Sequence, residues 1–168
     1  WPKYNKWVYE NVTKKLIENP DIPTELFLKA SLASSINNIG FLLYNQGDIL
    51  TALTYFHKAL KIQEAILDYE GMCYSFNNIG SIYNQQGDMD KAIEYYQKSL
   101  KVYQKLEDRN GIAKSLNYLG FIYYKQKDYP NALVNFQQSL EISEETGDKD
   151  EVAISLTNLG LIHKDQKE

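Results

Sequence analysis

The chain has 168 residues, 43% of them hydrophobic and 24% charged, which is enough for one folded domain with its own core. A net charge of −4 and a pI near 5.3 leave no basic field to attract a nucleic-acid backbone. The one cysteine, Cys73, excludes an internal disulfide, and two histidines, His57 and His163, are too few for a zinc site of the usual kind, so no metal or other cofactor is expected.

Residues 1–32 do not share the pattern of the rest. "WPKYNKWVYENVTKKLIEN" predicts an amphipathic helix with Trp1 and Trp7 as packing residues, stopped by the two prolines of "NPDIP". It reads either as the second helix of a degenerate upstream repeat or as a cap, and the cap is the expected role because the ends of a repeat array need covering. The chain opens at Trp1 rather than at a methionine and reads as a piece of a longer protein. No signal peptide is visible, and no apolar run approaches the roughly 18 residues of a membrane span, so no membrane contact is expected of this segment. The lone thiol fits a reducing, cytoplasmic compartment, with an extracytoplasmic sensor segment as the alternative.

From Ala33 onward the chain repeats. "NNIG" ends at Gly40 and Gly80, "NYLG" at Gly120 and "TNLG" at Gly160, a step of 40 residues each time. Asp48, Asp88 and Asp128 keep the same step, as do Ala52, Ala92 and Ala132, and Phe56, Tyr96 and Phe136. The copies run 33–72, 73–112 and 113–152, with a partial fourth at 153–168.

Each copy predicts two helices. In copy two the first spans about Glu70–Gln86, with Cys73, Phe76, Ile79, Ile82 and Tyr83 as its apolar stripe. Gly87 suits a left-handed C-terminal cap and Asp88 the N-cap of the next helix. The second helix carries Ala92, Ile93, Tyr96, Leu100 and Tyr103, and is expected to stop where Asn110 and Gly111 break the pattern. In copy three Lys127 replaces the capping glycine, at a cost of about 1 kcal/mol if it is left-handed, and Pro130 falls in a first turn that needs no N–H. Gly40, Gly80, Gly120 and Gly160 sit in mid-helix, where glycine costs about 1 kcal/mol relative to alanine, so a neighbour must approach too closely for a side chain. The aromatic series Phe56, Tyr96 and Phe136 is expected to fill the space between successive helix pairs. Copy four stops before its second helix, leaving Leu156, Leu159 and Ile162 short of cover, and this end is expected to fray or to self-associate.

An enzyme is not expected. Cys73 aligns with Ala33, Ala113 and Ala153 as a small buried filler, His57 with Gln97 and Gln137 as an exposed polar residue, and His163 with Tyr83 and Tyr123 as a partly packed one. The acidic run "EISEETGDKDE" reads as a solvated face.

The combination of Gly80, Tyr83, Gly87–Asp88, Ala92, Tyr96 and Ser99 resembles the tetratricopeptide repeat, with Leu43 in the tyrosine place of copy one. The family's usual period is about 34 residues, so this is a long variant, similar to arrays in bacterial signalling proteins. The resemblance implies an all-α solenoid, a right-handed superhelix of antiparallel helix pairs, whose partner is a protein or peptide. It also implies that the first helix of each pair lines a concave groove. On the stripe away from the core lie Asn37, Asn38, Phe41 and Tyr44 in copy one, and Tyr74, Asn77, Asn78 and Asn84 in copy two. Copy three contributes Lys114, Asn117, Tyr118, Phe121, Tyr124 and Lys125, and copy four Asn158. An amide offers a donor and an acceptor, as an extended peptide backbone does, and aromatic faces take side chains. Asn38, Asn78 and Asn158, interrupted by Tyr118, form the expected peptide-binding ladder. The alternative is that these amides only bridge adjacent helices. With Asn37 and Asn77 where a clamp for a terminal carboxylate would place lysine, a carboxylate-led partner is not expected.

Overall fold

A computed structural model describes Lys14 and residues 22–166. These residues form seven helices: α1 Ile22–Asn45, α2 Ile49–Ile66, α3 Tyr69–Gln86, α4 Met89–Lys105, α5 Arg109–Lys125, α6 Tyr129–Thr146 and α7 Lys149–Asp165. No strand occurs among the described residues. The all-α helix-turn-helix repeat predicted from the sequence is what forms. The chain divides within α3 into two compact units, one ending at Ile82 and the other beginning at Tyr83.

One device makes every turn. A left-handed residue recurs at Gly47, Leu67, Gly87, Glu107, Lys127 and Gly147, each followed by an aspartate. Each aspartate closes the helix before it, because its N–H bonds the carbonyl five residues back, as Asp88 does to Tyr83 at 2.9 Å and Asp108 to Tyr103 at 3.0 Å. It also opens the helix after it, because its carboxylate accepts the N–H three residues on, as Asp68 does from Gly71 and Asp108 from Gly111, both at 3.0 Å. The real period of the turns is therefore half that of the repeat. Asn110 and Gly111 do not break the pattern as expected. The stop falls at Glu107 and Asp108, and both residues lie in the first turn of α5, where the Tyr103 ring occupies the place a Cβ on Gly111 would need.

The mid-helix glycines hold rings. A Cβ on Gly40 would lie 2.9 Å from the Phe56 ring and 3.3 Å from the Ala52 carbonyl oxygen, and one on Gly120 would lie 2.7 Å from the Phe136 ring. In the first unit Phe56 is buried, as are Ala33 and Ile36 of α1 and Ala52 and Ala59 of α2. In the second, Ala92 and Tyr96 of α4 meet Leu119 and Ile122 of α5, and Ala132 and Phe136 of α6 meet Ile162 of α7. Tyr96 and Phe136 thus bridge to the next copy. Ile162 is fully buried by this packing, so it does not lack cover as the sequence suggested, whereas Leu156 does, at 53% exposed. His163 is exposed rather than partly packed, and Cys73 is fully buried as expected.

Two expectations about the N-terminal region change. The second proline of "NPDIP", Pro23, falls in the first turn of α1, where no N–H is required, while the upstream helix that the prolines were expected to stop lies outside the described residues. The first helix of copy one thereby reaches back from Ala33 to Ile22. By length and mean hydropathy (1.3), Thr24–Asn45 is also apolar enough to cross a membrane, where no such run was expected. Its buried residues Ala33, Ile36 and Asn37 mark it as the packed helix of a repeat. The predicted helix over residues 1–19, with Trp1 and Trp7, lies outside the described residues apart from Lys14.

Lys127 carries the left-handed strain predicted for it, at φ 61°. Lys127→Gly should raise stability by about 1 kcal/mol, and Gly87→Ala should lower it by a similar amount. Urea unfolding checks both, and an unchanged midpoint in either variant contradicts the turn's role. The Lys91 ammonium, bonded to the Asp88 carboxylate at 2.6 Å, holds that carboxyl below its ordinary range, and the Lys91 N–H adds to the effect. A carboxyl lowered in the folded state contributes stability above its unfolded pKa and loses it as pH falls through the folded value. Asp88→Asn should therefore flatten the acid limb of a melting-temperature profile against pH, and an unaltered limb contradicts it.

Candidate functional site

In the first unit, α1 and α3 present their non-core stripes to a common cleft of about 390 Å³. Ser34, Asn37, Asn38 and Phe41 of α1 line one side, Gly71, Tyr74 and Asn78 of α3 the other, and Gln63 of α2 contributes from below. The walls are uncharged. Tyr74 is 68% exposed and Phe41 half exposed, so two aromatic faces stand open beside the amides.

The adjacent asparagines divide the work. Asn37 is only 8% exposed. Its amide donates to Ser75 Oγ at 3.0 Å, and Ser75 donates in turn to Gln63 Oε1 at 2.6 Å, tying α1, α2 and α3 together. Asn38, one residue on and about 100° around the helix, is exposed. Asn78 is partly buried at the cleft's far wall. The carbonyl oxygen of Asn37 is buried without a hydrogen-bond partner, although the residue lines the cleft. The carbonyl oxygens of Asn77 and Asn117 are buried and unpartnered in the same way, and each acceptor left unmade costs on the order of 1–3 kcal/mol.

The second unit repeats the strap with different walls. Asn117, 3% exposed, donates to Glu151 Oε1 at 2.5 Å and to Ser155 Oγ at 2.8 Å. Ser155 bonds Ser139 Oγ at 3.2 Å, and Ser139 donates to the Ala113 carbonyl at 2.8 Å. Tyr118 takes the place of Asn38 and Asn78 and stacks on Tyr96 with ring centroids 5.0 Å apart. Burial, then the Glu151 charge, pushes its hydroxyl's pKa above the ordinary tyrosine value. Phe121 of α5 and Ile154 and Leu161 of α7 are exposed, and Asn158 is partly buried.

Several predicted residues are engaged in packing. Lys125 donates to Asn84 Oδ1 at 2.7 Å and lies over the Phe121 ring. Tyr124 donates to Asp165 Oδ2 at 2.7 Å, and that bond raises its pKa. Asn37 and Asn117 fulfil the bridging alternative, while Asn38, Tyr74 and Asn78 come together at the cleft. Tyr44 and Asn77 are not among its walls, and Asn77 keeps a buried, unpartnered carbonyl oxygen like that of Asn37. Lys114 is exposed. Sequence reasoning missed Gln63 and the serine series Ser35, Ser75, Ser115 and Ser155. All four of those serines are buried at the 40-residue step, a signal that was present in the text of the repeat. Among the described residues no group of three His, Cys, Asp or Glu could hold a metal ion.

The tetratricopeptide repeat profile matches residues 31–105, 71–123 and 111–168. No curated protein sequence matches the chain. Among solved structures, BtubC (BKLC) from P. vanneervenii is 18% identical with a TM-score of 0.73, the match covering 97% of this chain and 82% of that one. The apo form of RapI is 20% identical with a TM-score of 0.79, over 95% of this chain and 42% of RapI, so this chain spans less than half of RapI's length. The N-terminal domain of stress-induced protein-1 from C. elegans is 21% identical with a TM-score of 0.61, over 77% of this chain and 96% of that domain. At these identities the likeness is one of fold alone.

Asn117→Ala removes a buried donor from two acceptors and should cost about 1–3 kcal/mol. Asn38→Ala should stay within about 0.5 kcal/mol of the parent, as an exposed substitution does. Paired urea titrations check the contrast, and equal losses contradict the division between strap and open face.

Proposed function

The chain belongs to the tetratricopeptide repeat family, an all-α solenoid fold that serves protein–protein interaction, and from that premise we propose that its first unit binds an extended peptide segment in the Asn38–Asn78 cleft. The observation that carries this reading is the set of groups converging there: the Asn38 and Asn78 amides and the open Phe41 and Tyr74 faces. An extended backbone presents donors and acceptors in alternation, and two side-chain amides, each with a donor and an acceptor, answer both. Its side chains would lie on the aromatic faces. With no charged wall, the cleft favours uncharged residues over a carboxylate terminus. In the second unit, Tyr118, Phe121, Ile154 and Leu161 offer a more apolar helix face suited to apolar side chains. The role is non-catalytic recognition within a larger regulatory protein of the bacterial signalling type.

Peptides enriched from a displayed random library against the parent protein supply the probe. Loss of two amides at about 1 kcal/mol each should weaken their binding to the Asn38→Ala/Asn78→Ala variant by tenfold or more. The melting temperature should stay close to that of the parent. Binding that survives the double substitution, or that falls only in step with stability, contradicts the proposal.

A further inference from the structure

The floor of the Asn38–Asn78 cleft differs from its counterparts at one repeated place. Gly71, Gly111 and Glu151 are forty residues apart, each in the first turn of its helix. Over Gly111 lies the Tyr103 ring, where a Cβ would have to be. At Glu151 the chain supplies its own side chain, 5% exposed, whose Oε1 accepts from the Asn117 amide at 2.5 Å. Gly71 has neither a ring above it nor a side chain of its own, and it lines the cleft. Gln63 stands forty residues before Tyr103 and reaches Gly71 with an amide, its Nε2 2.7 Å from the place of a Cβ. The Asp68 carboxylate approaches the same place through Oδ2.

The edges these two groups present are fixed by their other bonds. Asn37 donates to Ser75 Oγ, so the Ser75 hydroxyl points on to Gln63 Oε1 at 2.6 Å, and Nε2 is the edge of the amide turned toward Gly71. Asp68 accepts the Gly71 N–H through Oδ1 at 3.0 Å, which leaves Oδ2 as the charged edge beside it. The floor thus sets a hydrogen-bond donor next to a negative charge. We propose that a side-chain carboxamide of the bound peptide, glutamine or asparagine, enters here, its carbonyl oxygen accepting from Gln63 Nε2 and its NH2 turned to Asp68 Oδ2. This rests on the peptide reading of the cleft and names the residue class that the cleft selects. Depth makes it a side chain: Asn38 is exposed and Asn78 partly buried, whereas Gln63 is only 1% exposed and lies beneath them. Charge decides which side chain. A carboxylate is repelled by Asp68, and an ammonium or guanidinium sets donors against the Gln63 donor. An apolar group leaves that donor unmade, and a site built around such a bond rejects a ligand that lacks it. A carboxamide alone brings acceptor and donor together without charge at this reach. Glu151 shows the acceptor half of the fit, because there the chain itself lays a side-chain oxygen on the strap asparagine.

Selection from a displayed random peptide library against the 168-residue chain, followed by calorimetry with the enriched peptides, tests this. The peptides should share glutamine or asparagine at one position, and replacing it with glutamate or leucine should weaken binding about tenfold. Gln63→Glu keeps the shape and the acceptor for Ser75 but turns the floor from donor to acceptor. Selection against it should enrich lysine or arginine at that position in place of the carboxamide. Gly71→Glu brings in the acceptor that Glu151 supplies, at a place where Asp148 caps the Glu151 N–H at 3.2 Å, and should weaken the parent's peptides about tenfold with an unchanged helical circular dichroism spectrum. The peptide analogues need no change in the protein, so they decide the matter even where Gln63→Glu does not fold. Peptides that bind through Asn38 and Asn78 but share no carboxamide overturn this inference and leave the cleft reading standing, as does a carboxamide preference that survives Gln63→Glu. Binding that survives Asn38→Ala/Asn78→Ala, or a selection that enriches nothing, removes the cleft reading and this inference with it.

Discussion

A helix in this protein ends and restarts because a left-handed residue followed by aspartate satisfies both loose ends of the backbone at once. The aspartate N–H reaches back to the last turn, and its carboxylate reaches forward to the first turn of the next helix. This device recurs at Asp48, Asp68, Asp88, Asp108, Asp128 and Asp148, so every helix between two of them has nearly the same length. Equal helices return the same face at each repeat. That is why a ring meets a glycine at both Gly40 and Gly120, and why polar residues forty apart fall on one stripe.

On that stripe the chain spends two polar residues per copy for different ends. The inner asparagine is drawn into a buried chain of hydrogen bonds, Asn37 through Ser75 to Gln63, and Asn117 through Ser155 to Ser139. Buried polar groups of this kind add little net stability, but each is costly to leave unpaired, so the strap penalises any shift of one helix along the next. The outer residue is released to the surface, as Asn38 in copy one and as Tyr118 in copy three. Register is held by one side chain, and its neighbour is thereby fixed in place at the surface.

Much of this was legible in the sequence, because a period of 40 residues names the core positions directly. Gly87–Asp88 announced its turn through residue type. The turns at Leu67 and Glu107 did not, because a left-handed leucine or glutamate leaves no compositional trace, and only the aspartates that follow betray them. Asn37 and Asn38 could not be told apart without the neighbouring helix, since what buries one and not the other is a serine thirty-eight residues away. Gln63 was missed because it reaches the cleft from a second helix, where first helices alone were considered. Ile162 was misjudged because its cover comes from the preceding copy, through Phe136, and not from its own.

The division between strap and open face is tested most directly by hydrogen exchange of the asparagine side-chain amides, followed by nuclear magnetic resonance on the free protein. The Asn37 and Asn117 amide protons should exchange slowly, protected by bonds to Ser75, Glu151 and Ser155, while those of Asn38 exchange at the rate of a solvated amide. Comparable exchange at Asn37 and Asn38 would contradict the account.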